Sequence, residues 1–331
     1  MASSAGYAVP DSSGRIVGLF PAAKPFSVSK PYRDLGDFLA YHFEGKVQKI
    51  SINAGFTCPN RDGTRGTGGC TYCNNQTFNP EYCSPTATIT EQLMKGKAFF
   101  ARKYPSMRYL AYFQAYTNTY ASMERLREMY EEALAVPDVV GLIIGTRPDC
   151  MPNELLRYLA ELSRRTFVLV EYGAETARDS TLQLINRGHS WAHTVDAVTR
   201  THAHGIMCGL HLIIGLPGET TDDFRATIAA VAQLPIDTLK LHQLQLIRGT
   251  RLARQVAVGE VAVPQWSAEE YVEVCIDLLR RLPRRIAVER FVSQSPAGLL
   301  IAPRWGLKNH EFTHLLHRRL TALAATQGDL L

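Results

Sequence analysis

No uninterrupted apolar stretch in this 331-residue chain reaches the roughly 18 residues that crossing a bilayer requires. The nearest, 205–218, carries His211 inside it and ends on Pro217 and Gly218, so no membrane span or membrane partner is expected. The first 33 residues lack the apolar core of a secretory signal. Their serines and few acids faintly resemble an organelle transit peptide, but the expected location is cytoplasmic. Charge of one sign is scarce too: 36 lysines and arginines face 31 acids, and a net +5 permits an anionic substrate or RNA without requiring one. Repeats and low-complexity segments are absent. With 46% hydrophobic and 20% charged residues, the chain is not disordered, collagen-like or a disulfide scaffold. What it does have is an odd set of seven cysteines, three of them within 58–73, which points to metal and a reducing compartment rather than to disulfides.

From about Val47 onward, short apolar runs alternate with amphipathic stretches. The runs predict strands at 47–53, 109–114, 139–145, 167–172, 206–214 and 238–246. The stretches between them predict helices at 89–104, 123–135, 153–164, 191–204 and 222–233, several opened by a capping residue such as Thr88, Ser122 or Thr221. Alternation at this spacing requires parallel crossovers, and six units fall short of a closed eight-stranded barrel. The expected fold is therefore α/β, a partial (β/α)6 TIM-like barrel of parallel strands with a small C-terminal α/β module. Its parts are a tail at 1–33, the barrel at 34–248 and the module at 249–331, with further helices at 252–258 and 268–282 and a strand at 286–291. Chemistry in such folds sits at the C-terminal strand ends.

After the first strand the chain reads FTCPNRDGT (56–64) and GGCTYCNN (68–75), placing Cys58, Cys70 and Cys73 in a C-x11-C-x2-C pattern with five glycines between Gly55 and Gly69. Glycine allows close backbone approach and positive φ, so the loop can wrap a compact inorganic cluster. Four thiolates would complete the coordination of a 4Fe–4S cluster, whereas three leave one iron open to an external ligand. Tyr72 would set an aromatic face beside that iron. The competing arrangement is a four-cysteine zinc site that adds Cys83, although structural zinc usually takes two paired knuckles and only one pair exists here. Cys150, Cys208 and Cys275 read as small buried hydrophobes.

This loop resembles the cluster loop of the radical S-adenosylmethionine superfamily. Most of that superfamily has the shorter gap C-x3-C-x2-C, and the eleven-residue gap with this wording is similar to the YhcC-like family, a branch near the Elongator catalytic subunit. The likeness continues through YFQAYTNTY (112–120), GTRPDC (145–150), EYGAET (171–176), INRGH (185–189), LIIGLPGET (212–220) and LIAPRW (300–305). It implies a 4Fe–4S cluster and S-adenosylmethionine as cofactors, and a one-electron donor such as flavodoxin or ferredoxin as partner.

The resemblance also implies roles at the other strand ends. Thr117 and Asn118 stand where the superfamily binds the methionyl amino group, although the usual Gly-Gly-Glu is missing. Glu171 would bind the ribose or amino group, the alternative being a salt bridge to Arg187. Arg187 itself suits the methionyl carboxylate, while His189 suits a helix cap. Gly215 and Gly218 would pack against adenine through their backbone. Arg147, Asp149, His242 and Gln245 point to where substrate would lie. The expected function is reductive cleavage of S-adenosylmethionine to a 5′-deoxyadenosyl radical acting on an unidentified substrate. For that substrate tRNA competes with a small metabolite or a protein side chain, and a non-catalytic zinc- or cluster-binding protein is the alternative from another class. A basic, aromatic C-terminal stretch that includes Arg318 and Arg319 leans toward RNA.

Overall fold

A computed structural model of the chain describes residues 9–10, 16–17, 30–78, 80, 82–101 and 106–331. The expected N-terminal tail lies largely outside them, as do residues 102–104 of the helix expected at 89–104.

Seven parallel strands lie side by side in chain order: β1 (Val47–Ile52), β2 (Arg108–Phe113), β3 (Val139–Thr146), β4 (Phe167–Glu175), β5 (Met207–Ile214), β6 (Thr238–Gln243) and β7 (Ala287–Arg290). The six strands expected become seven because the strand at 286–291, expected in the appended module, pairs parallel with β6 at the edge of the barrel sheet. The helices in order are α1 (Leu35–His42), α2 (Ile89–Ala101), α3 (Met123–Ala135), α4 (Asn153–Ser163), α5 (Asp179–Leu184), α6 (Trp191–Ala203), α7 (Thr221–Ala232), α8 (Arg251–Ala257), α9 (Ala268–Arg280) and α10 (Asn309–Ala322). Ser122 caps α3 as expected. At α7 the cap is Thr220 rather than Thr221, because Thr220 and Asp223 exchange side-chain and backbone bonds in a capping box.

All nine residues of β4 are buried, as befits a central strand covered on both faces. The sheet curls until its first and last strands meet across the interior, where Lys49 of β1 reaches Glu289 of β7 at 2.5 Å. This is a half-barrel with an open side. Beyond it, α9 packs on α10 through a stack in which Tyr271 lies between Trp266 and Trp305, with ring centroids 5.7 and 5.3 Å away. Truncating Tyr271, which also donates to the Phe291 carbonyl at 3.0 Å, is expected to cost about 3–5 kcal/mol, the usual loss for a buried aromatic. A urea melt of the Tyr271→Ala protein checks this.

Candidate active site

The cysteine loop, between β1 and α2, is folded by its own backbone. The Cys58 carbonyl accepts from the N–H of Arg61 at 2.8 Å and of Asp62 at 3.2 Å, and the Asn60 carbonyl accepts from Gly69 at 2.8 Å. Gly68 and Gly69, at φ +76° and +72°, make the turn into Cys70. A Cβ on Gly66 would stand 2.3 Å from Oδ1 of Asn60. The long first gap is thus wrapped around a buried asparagine. The 186–189 segment docks on this loop: Asn60 Nδ2 donates to the Asn186 carbonyl at 2.6 Å, and Asn186 Nδ2 donates to the Gly69 carbonyl at 2.8 Å.

Cys58, Cys70 and Cys73 all carry free thiols and line one solvent-open cavity at the C-terminal ends of the strands. N–H donors face two of the sulfurs. Arg187 Nη1 and Asn60 Nδ2 lie 3.6 and 3.7 Å from Cys70 Sγ, and Asn75 Nδ2 lies 3.5 Å from Cys73 Sγ. Burial, then Cys70, pushes the Cys73 thiol up to about 11, so it takes a bound metal to draw off its proton. Cys83 faces away, donating to the Ser51 carbonyl at 2.9 Å, and it does not line the cavity. Among the described residues no three His, Cys, Asp or Glu gather tightly around one ion. Three thiols lining one cavity, two of them met by N–H donors, instead suit a cluster several ångströms across.

The same cavity is lined by Tyr72, Thr117, Arg147, Glu171, Arg187, His242 and Gln245, all singled out in the sequence. Thr117 Oγ1 and Arg187 Nε are buried there without a hydrogen-bond partner among the described residues, as expected of groups awaiting a polar ligand. Tyr72 is half-buried against an apolar patch that includes Ile213 and Leu244.

Four of the residues singled out do not line the cavity. Asn118 is buried, with Nδ2 donating to the Gly145 carbonyl at 2.7 Å and to the Phe113 carbonyl at 3.1 Å. The Asp149 side chain is buried, bonded by Arg147 at 2.9 and 3.0 Å and paired with Arg65 at 3.4 Å, and it holds the Arg147 guanidinium in place. Gly215 turns at φ +96° with Trp266 behind it, and Gly218 gives its carbonyl to Arg178 at 2.7 Å. Gln245 lines the cavity, but its amide is used at both ends, donating to the Ser293 carbonyl and accepting from Ser295.

The carboxylates also sort differently from expectation. Strand β4 runs three residues further than 167–172, so Glu171 lies mid-strand and Glu175 stands at the end. Arg187 pairs with Glu175 at 3.3 Å, not with Glu171, and donates to the Gly173 carbonyl at 2.5 Å. Glu171 belongs to a buried network: Lys240 and His211 at 2.9 Å, Lys49 at 3.2 Å. Burial alone would raise its pKa, but Lys240, Lys49 and His211 outweigh this and hold the carboxyl well below the usual range. Glu175, at φ +68°, and Tyr116, at φ +64°, both line the cavity, and Asn186, at φ +53°, is clipped to the cysteine loop. Three of the five non-glycine residues with positive φ among the described residues thus lie at the site. Glu175, Asn60 and Asn75 were not singled out from the sequence. Glu175 lies inside the quoted EYGAET, and a strand end placed three residues later would have found it.

His189 is not a cap. Ser190 and His193 form the capping box of α6, while His189 is buried with Nε2 3.3 Å from the Gly173 carbonyl. Burial, then Arg187 and Arg147, push its pKa down to about 3. An unfolded histidine titrates near 6.5, so folding excludes its proton. This contribution to stability is complete above about pH 6.5 and is lost as pH falls toward 3. His189→Asn is expected to flatten the fall in stability between pH 7 and 5, measured by urea melts at both pH values.

Residues 58–231 match the Radical SAM superfamily and residues 236–322 the Radical SAM C-terminal domain. The chain belongs to the radical SAM superfamily, a class of enzymes whose cofactors are a 4Fe–4S cluster and S-adenosylmethionine.

Within that superfamily it is a member of the YhcC-like family. It is 38% identical over 305 residues to YtqA of Bacillus subtilis (strain 168), covering 92% of this chain and 94% of that protein. To YhcC of Escherichia coli (strain K12) it is 37% identical over 271 residues, covering 82% and 86%. A tRNA uridine(34) acetyltransferase of Methanocaldococcus infernus is 26% identical over 207 residues, covering 60% of this chain and 37% of that protein. Among solved structures, Methanocaldococcus infernus Elp3 with its N-terminus deleted shares the fold with a TM-score of 0.62 at 16% identity, covering 86% of this chain and 65% of that one.

Proposed function

We propose that this chain holds its cluster on Cys58, Cys70 and Cys73, binds S-adenosylmethionine in the adjoining cavity and acts on tRNA. When bound and reduced by a donor such as flavodoxin or ferredoxin, the two cofactors would supply a 5′-deoxyadenosyl radical to take a hydrogen atom from substrate. The chain's own residues do the rest. Arg187 and Glu175 offer a cation and a carboxylate for the amino-acid end of the ligand, and the unpartnered Thr117 hydroxyl offers a further hydrogen bond. Tyr72, Ile213 and Leu244 provide an apolar wall for the purine, without Gly215 and Gly218, which do not line the cavity. Arg147, fixed by Asp149, fills the space beneath the 186–189 turn by donating to the Arg187 carbonyl at 2.9 Å. The observation that carries this reading is one cavity lined both by three unpaired cysteines of one loop and by polar atoms left without a partner among the described residues.

Two observations favour tRNA. One relative carries a tRNA-modifying activity in its name. Arg61 lines the cavity, the exposed Arg248 follows directly on Ile247, another lining residue, and the exposed Arg251 opens α8 three residues later. Of the arginines first considered, Arg319 is paired with Glu273 at 2.6 Å. Binding of bulk tRNA is expected to weaken steeply with salt, and an Arg248→Ala, Arg251→Ala double variant to reduce the slope of log Kobs against log salt by about 2. The test is anaerobic incubation of the reconstituted protein with S-adenosylmethionine, reductant and tRNA from cells lacking the protein. A changed nucleoside in the tRNA is the expected result. An unchanged tRNA, with no salt-dependent binding, refutes the tRNA reading and favours a small metabolite or a protein side chain.

A further inference from the structure

The interior of a parallel barrel is ordinarily filled with branched aliphatic side chains. Here six strands instead send ionisable groups to one place: Lys49 (β1), Tyr112 (β2), Glu171 (β4), His211 (β5), Lys240 (β6) and Glu289 (β7). Besides the contacts of Glu171, Lys240 lies 2.9 Å from Glu289 and donates to the Tyr112 hydroxyl at 2.9 Å. Two lysines balance two carboxylates, so the network is neutral without His211. Burying such charges gains little stability over an aliphatic layer, which makes a chemical role the better account of them.

His211 is the member of the network that faces out. Its side chain is the most exposed of the charged and imidazole groups of the network, at 19% against 13% for Lys49, 10% for Glu289 and 1% for Glu171 and for Lys240, and it lines the cavity with Tyr112, Glu171 and His242. Burial and the Lys240 charge keep the imidazole neutral. With Nε2 given to a carboxylate at 2.9 Å, the one proton of a neutral ring belongs on Nε2, and Nδ1 keeps its lone pair, for which no partner stands among the described residues. His242, with ring centroids 5.5 Å apart, has Nδ1 on the Ser293 hydroxyl and a buried Nε2 without a partner among the described residues. The remaining charge near the pair is Arg290, which together with burial holds His242 neutral.

We propose that His211 is the proton acceptor of this cavity, oriented by Glu171, and that His242 hydrogen-bonds the same substrate group. A carboxylate-held imidazole with a free lone pair is the arrangement of a general base. The substrate class it fits has a hydroxyl or amine next to the carbon that loses its hydrogen atom, since that loss acidifies the neighbouring O–H or N–H. In the step, the O–H or N–H bond breaks, Nδ1–H forms, and the electron pair stays on the substrate atom. No electron passes to or from the protein, and the resulting imidazolium is held by Glu171. This rests on the radical reading of the cavity.

Two measurements test it. In the oxidised wild-type holoenzyme labelled with nitrogen-15 histidine, His211, assigned by its absence from His211→Ala, is expected to be neutral at pH 7 with the proton on Nε2. An imidazolium, or a proton on Nδ1, overturns the proposal without use of any substrate. With tRNA as substrate, His211→Ala is expected to lose at least about a hundredfold in turnover and to regain about tenfold with added imidazole. Turnover within threefold of wild type, or a loss that imidazole does not relieve, overturns it too. Failure of the wild type to form 5′-deoxyadenosine is a separate result that refutes the radical reading. Failure to change tRNA refutes only the substrate, and the protonation state of His211 then decides.

Discussion

Replacing Cys70 with alanine is expected to abolish cluster assembly and to lower 5′-deoxyadenosine formation at least about a thousandfold, while Cys83→Ala keeps both. Cys70 is the most enclosed of the three loop cysteines and the one met by two N–H donors, from Arg187 and Asn60. Its loss leaves two thiols, too few to retain a cluster that already lacks a fourth protein ligand. Cys83 has its thiol on the Ser51 carbonyl and does not line the cavity, so its replacement is expected to remove one hydrogen bond and no ligand. Iron content and the visible absorbance of the anaerobically reconstituted proteins read the first effect, and product by mass spectrometry reads the second. A Cys83→Ala protein that fails to assemble its cluster would restore the four-cysteine arrangement.

The second large effect is on stability. Lys240→Met removes one of the two cations from the barrel floor and leaves Glu171 and Glu289 facing Lys49 alone. Breaking a buried pair in this way typically costs about 3–5 kcal/mol, because the stranded charge has no water to return to. A second replacement, Glu171→Gln, removes the stranded charge. The double variant is therefore expected to be less destabilised than the sum of the two single ones, with a coupling of about 1–3 kcal/mol by urea denaturation. The pH dependence follows from the same residue. The folded pKa of Glu171 lies below its unfolded value of about 4.3, so its contribution is present above that pH and is lost as pH falls through it toward the folded value. Acid unfolding of Glu171→Gln is expected to be correspondingly less steep below pH 4.3.

Much of this protein was legible in its sequence because the informative signals are local. The three-cysteine loop, the alternation of strands and helices and the caps at Thr88 and Ser122 each depend on residues a few positions apart, and each was read with its neighbours. Strand β4 was harder. It is buried on both faces and carries Glu, Tyr and Gly in its second half, so nothing in its pattern marked whether Glu171 or Glu175 ended it. The seventh strand was misplaced for a different reason: four residues long, it gains its place only by pairing with β6, a contact across the whole of α8 and α9. The barrel floor was hidden most completely. His211 sits as a lone polar residue in an apolar run while Lys49 and Lys240 sit in strands that mix polar and apolar residues, and only the register of the parallel strands shows that all three converge on one carboxylate.

The central claim is that three cysteines of one loop hold a cluster beside a cavity built for S-adenosylmethionine. The most direct measurement is anaerobic: reconstitute the full chain with iron and sulfide, reduce it, add S-adenosylmethionine and quantify 5′-deoxyadenosine. Formation in the wild type, dependent on reductant and absent in Cys70→Ala, is the expected result. No 5′-deoxyadenosine from a fully loaded wild-type protein, or as much from the Cys70→Ala protein, would contradict it.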